Sequence, residues 1–173
     1  MVVSEGASVI TRAAGLAISV CVVALVCACA PAFADTITGN VVAIIDGDTL
    51  TVVDGKNKRY RIRLAEIDAP ERKQAFGTRS RQSLSALCLK KEAQVEWRNK
   101  EANNRYVGRI VCAGIDAAAE QVRRGMAWVS PRFTTAGSPL YELESYARLR
   151  RAGLWGTQQA PVPPWEWRAA NNR

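Results

Sequence analysis

The chain has 173 residues, 24 Lys and Arg against 16 Asp and Glu, and a net charge of +8. An excess of positive charge on this scale suits a polyanionic partner, nucleic acid or an anionic membrane surface. Histidine is absent, which excludes Ser-His-Asp hydrolysis, histidine-ligated metal centres and histidine phosphotransfer, and leaves carboxylates, Arg, Lys, Tyr and Cys for any chemistry.

Residues 1–34 read as a secretory signal peptide. Arg12 supplies the positive start, Ala13 to Ala30 is apolar and small, and Ala32-Phe33-Ala34 predicts cleavage before Asp35. An uncleaved anchor and a lipid attachment at Cys29 are the alternatives. The expectation is an exported protein, periplasmic or extracellular, with no stable membrane association after cleavage. It divides into a domain over 35–156 and a Pro- and Trp-rich tail over 157–173.

In chain order, Thr36 to Ile45 is a strand carrying a bulge, and Asp46-Gly47-Asp48 turns the chain. Thr49 to Val53 is a second strand, and Asp54-Gly55 a hairpin signal. Arg59 to Ile67 is a third, alternating Tyr60, Ile62 and Leu64 with Arg61, Arg63 and Ala65 until Ala69-Pro70 ends it. Leu84, Leu87 and Cys88 set a helix over Thr78 to Lys91. A strand over Ala93 to Trp97, a polar loop over Asn99 to Asn104 and a strand over Tyr106 to Cys112 follow. A helix over Asp116 to Arg124 has Asp116 as its N-cap and Gly125 as its stop, and another runs from Ser138 to Arg151. The tail holds Trp165 and Trp167, placed either to dock on the domain or to stack on bases. This order describes an α+β chain, mainly β: a five-stranded barrel of the oligonucleotide-binding type with three helices.

Of the five cysteines, Cys88 and Cys112 lie beyond the signal and fit no zinc spacing. In an exported protein they form one disulfide; the alternative is two separate buried thiols.

The span from Ile45 to Glu71 interleaves carboxylates and arginines with strand-forming residues. Asp48 and Asp68 are hard oxygen ligands suited to Ca²⁺. Arg63, on the strand that leads to Asp68, has a fork matched to phosphate. Glu71 follows the turn fixed by Pro70 and can face the same cavity. Hydrolysis of a phosphodiester asks for such a set: a cation on the phosphoryl oxygens, a carboxylate acting on water, and further positive charge for the transition state. The structural alternative is that Asp46 and Asp48 serve only the turn, with Arg61, Arg63 and Glu66 in solvated pairs.

Ile45-Asp46-Gly47-Asp48-Thr49-Leu50, Arg61 to Glu71, Glu120 to Val129 and Arg148 to Trp155 resemble the staphylococcal nuclease (thermonuclease) family in its exported bacterial branch, in which the ending Pro163 to Arg168 also recurs. The resemblance implies the five-stranded oligonucleotide-binding barrel, Ca²⁺ dependence and endonuclease attack on DNA and RNA leaving 3′-phosphates; a monomer is the separate expectation for the assembly. It implies that Asp48, Asp68 and the backbone carbonyl of Ala69 hold the metal, Ala69 standing where the family usually has Thr. It implies that Arg63 is the first catalytic arginine and Glu71 the glutamate that orients or deprotonates water. The second arginine is Arg105 when the chain is aligned without gaps from Val122-Arg123-Arg124-Gly125, with Arg109 as the alternative. A non-catalytic nucleic-acid-binding barrel is the competing reading, and an envelope structural protein a more distant one.

Overall fold

The computed structural model describes residues 35–101 and 105–171. The expected signal peptide, residues 1–34, and positions 102–104 of the expected loop lie outside them. Among the described residues, no helix is long and apolar enough to cross a membrane.

Three antiparallel strands open the fold: β1 (Asp35–Ile44), β2 (Thr49–Asp54) and β3 (Arg59–Leu64). Helix α1 (Gly77–Cys88) leads to β5 (Glu92–Lys100), which pairs antiparallel with β1 and with β6 (Arg105–Cys112). Parallel pairing of β3 with β6, Arg61 beside Arg105 and Leu64 beside Gly108, closes the five strands into a barrel. Closure leaves these strands without a free edge. Of the even-numbered residues of β3 and β6, Ile62, Leu64, Ile110 and Cys112 are fully buried inside, and Tyr60 and Tyr106 pack half-buried against them. The odd-numbered partners face outward, as a period of two requires.

Two local conformations break the third strand earlier than its apolar pattern suggests. Ala65 donates to the Gly108 carbonyl, and Glu66 then takes a left-handed φ of 64°. The chain leaves the barrel there and forms β4 (Ile67–Asp68), which pairs with β8 (Trp128–Val129) rather than with β2. The expected bulge in β1 falls at Val42. Helix α1 stops at Cys88, three residues short of expectation, because Leu89 is extended and Lys90 has a φ of 61°. Asn99 and Lys100 extend β5 through a register shift after Trp97, where a loop was expected.

After the two-residue β7 (Ile115–Asp116), α2 (Ala117–Arg123) begins with the Asp116 carboxylate accepting from the Ala119 N–H, as its cap position predicts. Gly125, at a φ of 65°, ends it. Helix α3 (Leu140–Leu149) starts later than expected, the Ser138 hydroxyl accepting from Leu140 N–H. Cys88 and Cys112 form a disulfide with Cα atoms 5.2 Å apart, tying the end of α1 to the end of β6.

The tail is not a plain extension. Pro164–Asn171 forms a fourth helix, α4, where three helices were expected. Pro164 at its first position carries the φ a helix needs and no amide to waste, and Glu166 lies in the first turn with Arg168 in the last. Docking is the fate of the tryptophans. Trp167 lines a cavity of about 260 Å³ with Gln74, Phe76 and Trp128, and Trp165 packs in a groove beside Trp155.

Candidate active site

The turn between β1 and β2 sets the first carboxylate. Asp46 Oδ1 accepts from the Asp48 N–H at 3.0 Å, the local closure that makes aspartate a turn residue. Gly47 is required by close approach, since a Cβ there would overlap the Ser80 hydroxyl. The turn is held from behind by Gln121 of α2, a fully buried amide whose Nε2 donates to the Gly47 carbonyl at 2.7 Å and the Ser80 carbonyl at 3.1 Å. Asp48 thus points inward, its Oδ2 accepting from Ala69 N–H at 3.0 Å and its Oδ1 from the Thr49 hydroxyl at 2.9 Å.

Strand register brings the arginine. Thr49 of β2 faces Arg63 of β3, on the outer surface of the barrel. Arg63 Nη2 lies 3.1 Å from Asp68 Oδ1 and 3.4 Å from Asp48 Oδ2, so one guanidinium nitrogen joins both carboxylates. Asp68 reaches this place because β4 is pinned to β8 and because the Glu66 carbonyl accepts from Ser130 N–H and the Thr134 hydroxyl. Beyond Pro70, Glu71 opens a short turn in which its N–H donates to Gln74 Oε1 and its carbonyl accepts from Gln74 N–H.

A second guanidinium completes the cluster from a distance of 100 residues in sequence. Arg168 of α4 donates from Nη2 to Asp68 Oδ2 at 2.6 Å, and from Nη1 to Glu71 Oε1 at 2.7 Å and Asp68 Oδ1 at 3.2 Å. Gln74, which braces Glu71, also donates to the Val162 carbonyl at 2.6 Å and so fastens the tail to the same loop.

Asp48, Arg63, Asp68, Ala69 and Glu71 are therefore gathered in one place. The two arginines of β6 stand apart from it. Arg105 is paired with Glu101, and Arg109 with Asp116 and Glu96. Both face outward on β6, as Arg63 does on β3: Arg105 lies beside Arg61, and Val107 beside Arg63.

Burial makes the cluster electrostatically tense. Loss of hydration pushes the Asp48 carboxyl up to about 7, against the opposing pull of Arg63. A buried carboxylate of that kind gains from a nearby cation. Among the described residues, no group of three or more His, Cys, Asp or Glu side chains is gathered as a ready-made metal cage. Two aspartates converging on one guanidinium fit, by the chemistry of their oxygens, a hard divalent ion that takes its remaining ligands from water and substrate.

Sequence reasoning missed three supporting residues. Gln121 is a polar residue on the inward stripe of α2 with Ala117, Ala118 and Val122, an anomaly visible in the spacing. Ser80 likewise shares the buried stripe of α1 with Leu84 and Leu87. Arg168 had a signal only in the ending Pro163 to Arg168.

Fold and cluster together define an oligonucleotide-binding barrel with an acidic, arginine-lined site on its outer surface. Residues 61–157 match the family model described as staphylococcal nuclease homologue. The chain is 38% identical over 170 residues to Protein ParB of Escherichia coli, covering 92% of this chain and 91% of that protein. It is 39% identical over 155 residues to a micrococcal nuclease of Shigella flexneri, covering 82% and 85%. An uncharacterized endonuclease of Haemophilus influenzae is 36% identical over 132 residues, covering 76% and 72%. The chain belongs to the staphylococcal nuclease family, whose members hydrolyse nucleic acids.

Proposed function

We propose that this protein is an exported, calcium-dependent endonuclease that hydrolyses phosphodiester bonds of DNA and RNA, acting as a monomer. The observation that carries the reading is the convergence of Asp48, Arg63, Asp68 and Glu71, with one Arg63 nitrogen bridging both aspartates. A protein that only bound nucleic acid would gain nothing from buried carboxylates facing its phosphates. Export is supported by the signal-like start and by the Cys88–Cys112 disulfide, which persists in oxidising compartments.

Asp48, Asp68 and the Ala69 carbonyl would hold Ca²⁺, whose chemistry is to draw charge from a phosphoryl oxygen. Arg63 grips the non-bridging oxygens of the scissile phosphate and holds the charge that grows there. Glu71, with a carboxylate 36% exposed, receives the proton of the attacking water as the new P–O bond forms. The bond to the 5′-oxygen breaks, that oxygen takes a proton, and a 3′-phosphate remains on the other product. Arg105 is assigned as the second arginine, leaving Glu101 to meet the substrate, with Arg109 as the alternative. Arg59 and Arg61 are exposed on the same outer face as Arg63, a line of positive charge that suits a nucleic-acid strand approaching the site.

The test is cleavage of single-stranded and duplex DNA by the purified protein at graded Ca²⁺. Cleavage that rises with Ca²⁺ and stops in chelator is expected. Cleavage indifferent to chelator contradicts the metal assignment, and salt-sensitive binding with no cleavage at any Ca²⁺ contradicts the enzymatic one.

A further inference from the structure

Arg168 is the residue of the cluster with no assigned task, and its contacts are specific. Its two terminal nitrogens take both oxygens of Asp68 and one oxygen of Glu71, at 2.6, 3.2 and 2.7 Å. This is a forked guanidinium–carboxylate engagement, the geometry that makes arginine pairs strong. It occupies an aspartate assigned to the metal and the glutamate assigned to water. Arg63 differs, because it reaches the aspartates through one nitrogen from a fixed place on a barrel strand.

We propose that Arg168 is a tethered cation that competes with the divalent ion for Asp68 and withholds Glu71 from water until the ion displaces it. The proposal rests on the calcium reading above. Three observations favour it. The oxygens that Arg168 covers are those a divalent ion and an attacking water need, so cation and guanidinium exclude one another by charge and by space. The arginine is built to leave: its side chain is 38% exposed, against 11% for Arg63. Its helix spans only Pro164–Asn171, too short to be stable unless docked. Docking is in turn coupled to the site, because Gln74 holds both the Glu71 turn and the Val162 carbonyl. A competitor carried on the same chain acts at high effective concentration, and it lowers the apparent affinity for the ion by the fraction of molecules in which the site is open.

The experiment is calorimetric titration of Ca²⁺ into the full chain, without nucleic acid, for wild type, Arg168→Gln and Arg168→Lys. Folding of each is checked by circular dichroism and thermal melting. Arg168→Gln is expected to bind Ca²⁺ about tenfold more tightly, with Arg168→Lys between the two because an ammonium cannot fork across both carboxylates. The Ca²⁺ midpoint for cleavage should fall in the same order. Equal or weaker binding by Arg168→Gln overturns the proposal and leaves the calcium reading standing. Arg168→Gln cleaving far more slowly at saturating Ca²⁺ with unchanged Ca²⁺ affinity also overturns it, and makes Arg168 a contact to the phosphate. If no variant and not the wild type binds Ca²⁺, the calcium reading fails, and a guard against that ion falls with it.

Discussion

Two parts of the chain build the candidate site by different means. Asp48, Arg63 and Asp68 stand on the barrel or on the short strand that leaves it: their side chains are 7–11% exposed, and strand register, a buried amide and main-chain donors fix them. Arg168 comes from a short terminal helix, is 38% exposed, and meets the site through side chains alone. Glu71 stands between the two, on a turn past the barrel but tied to the tail through Gln74. Position in the fold thus separates the fixed side chains of the cluster from the exposed one. The groups proposed to meet phosphate and cation are fixed by the barrel, and the guanidinium that covers Asp68 and Glu71 is the more exposed one.

Mutations at each end should therefore pull apart. Arg63→Ala should lower the cleavage rate by about 10²–10³-fold with Ca²⁺ binding retained, as loss of a transition-state donor does. Single-turnover assays at saturating Ca²⁺ would show it. A loss below tenfold would place the phosphate grip elsewhere, with Arg105 the first candidate and Arg109 the second.

The fixed end depends on its hidden brace. Gln121→Leu removes the donor to the Gly47 and Ser80 carbonyls inside the core and should cost about 2 kcal/mol. The Gln121 Oε1 has no partner among the described residues, so the loss comes from the donor side alone. Urea unfolding would measure it, and activity at saturating Ca²⁺ should fall as the Asp48 turn loosens. A variant as stable and as active as wild type would mean that the turn holds itself.

A smaller effect follows from the buried charge of Asp48. Its folded pKa of about 7 exceeds the ordinary value of 3.8, so the folded state binds the extra proton in between. In chelator, wild-type stability relative to Asp48→Asn should then be greatest below about pH 4 and decline as the pH rises through 7. Thermal melts at pH 5 and pH 8 should show the wild type losing stability against the variant as the pH rises. A difference that does not change with pH would mean the carboxylate is already ionised across the range and its cost is met by Arg63.

Much of this site was legible in the sequence because its determinants are local. Asp48 sits in a turn written by Asp46 and Gly47, and Asp68 follows Arg63 by only five residues, so the type and spacing of residues foretold their meeting. The barrel was legible from alternation along β1, β2 and β3 and from the turn residues between them. What escaped was non-local. Nothing in Arg59 to Ile67 marks that the strand must break at Glu66, because the break is made by Ser130 and Thr134 bonding its carbonyl. The tail looked like a proline-rich extension because Pro161, Pro163 and Pro164 obscure the start of a helix that Pro164 in fact opens. Arg168 could be read as part of the site only once that helix was folded against the loop after Asp68.

Whether these side chains form one hydrolytic centre is decided by Glu71→Gln. The substitution keeps size and an oxygen that can still accept from Arg168, and it removes the negative charge and with it the capacity to take a proton. Cleavage of a labelled oligonucleotide should fall by about a hundredfold or more, in line with loss of a general base, while Ca²⁺-dependent oligonucleotide binding and thermal stability stay near wild type. Cleavage at the wild-type rate by a folded, substrate-binding Glu71→Gln protein would contradict the account.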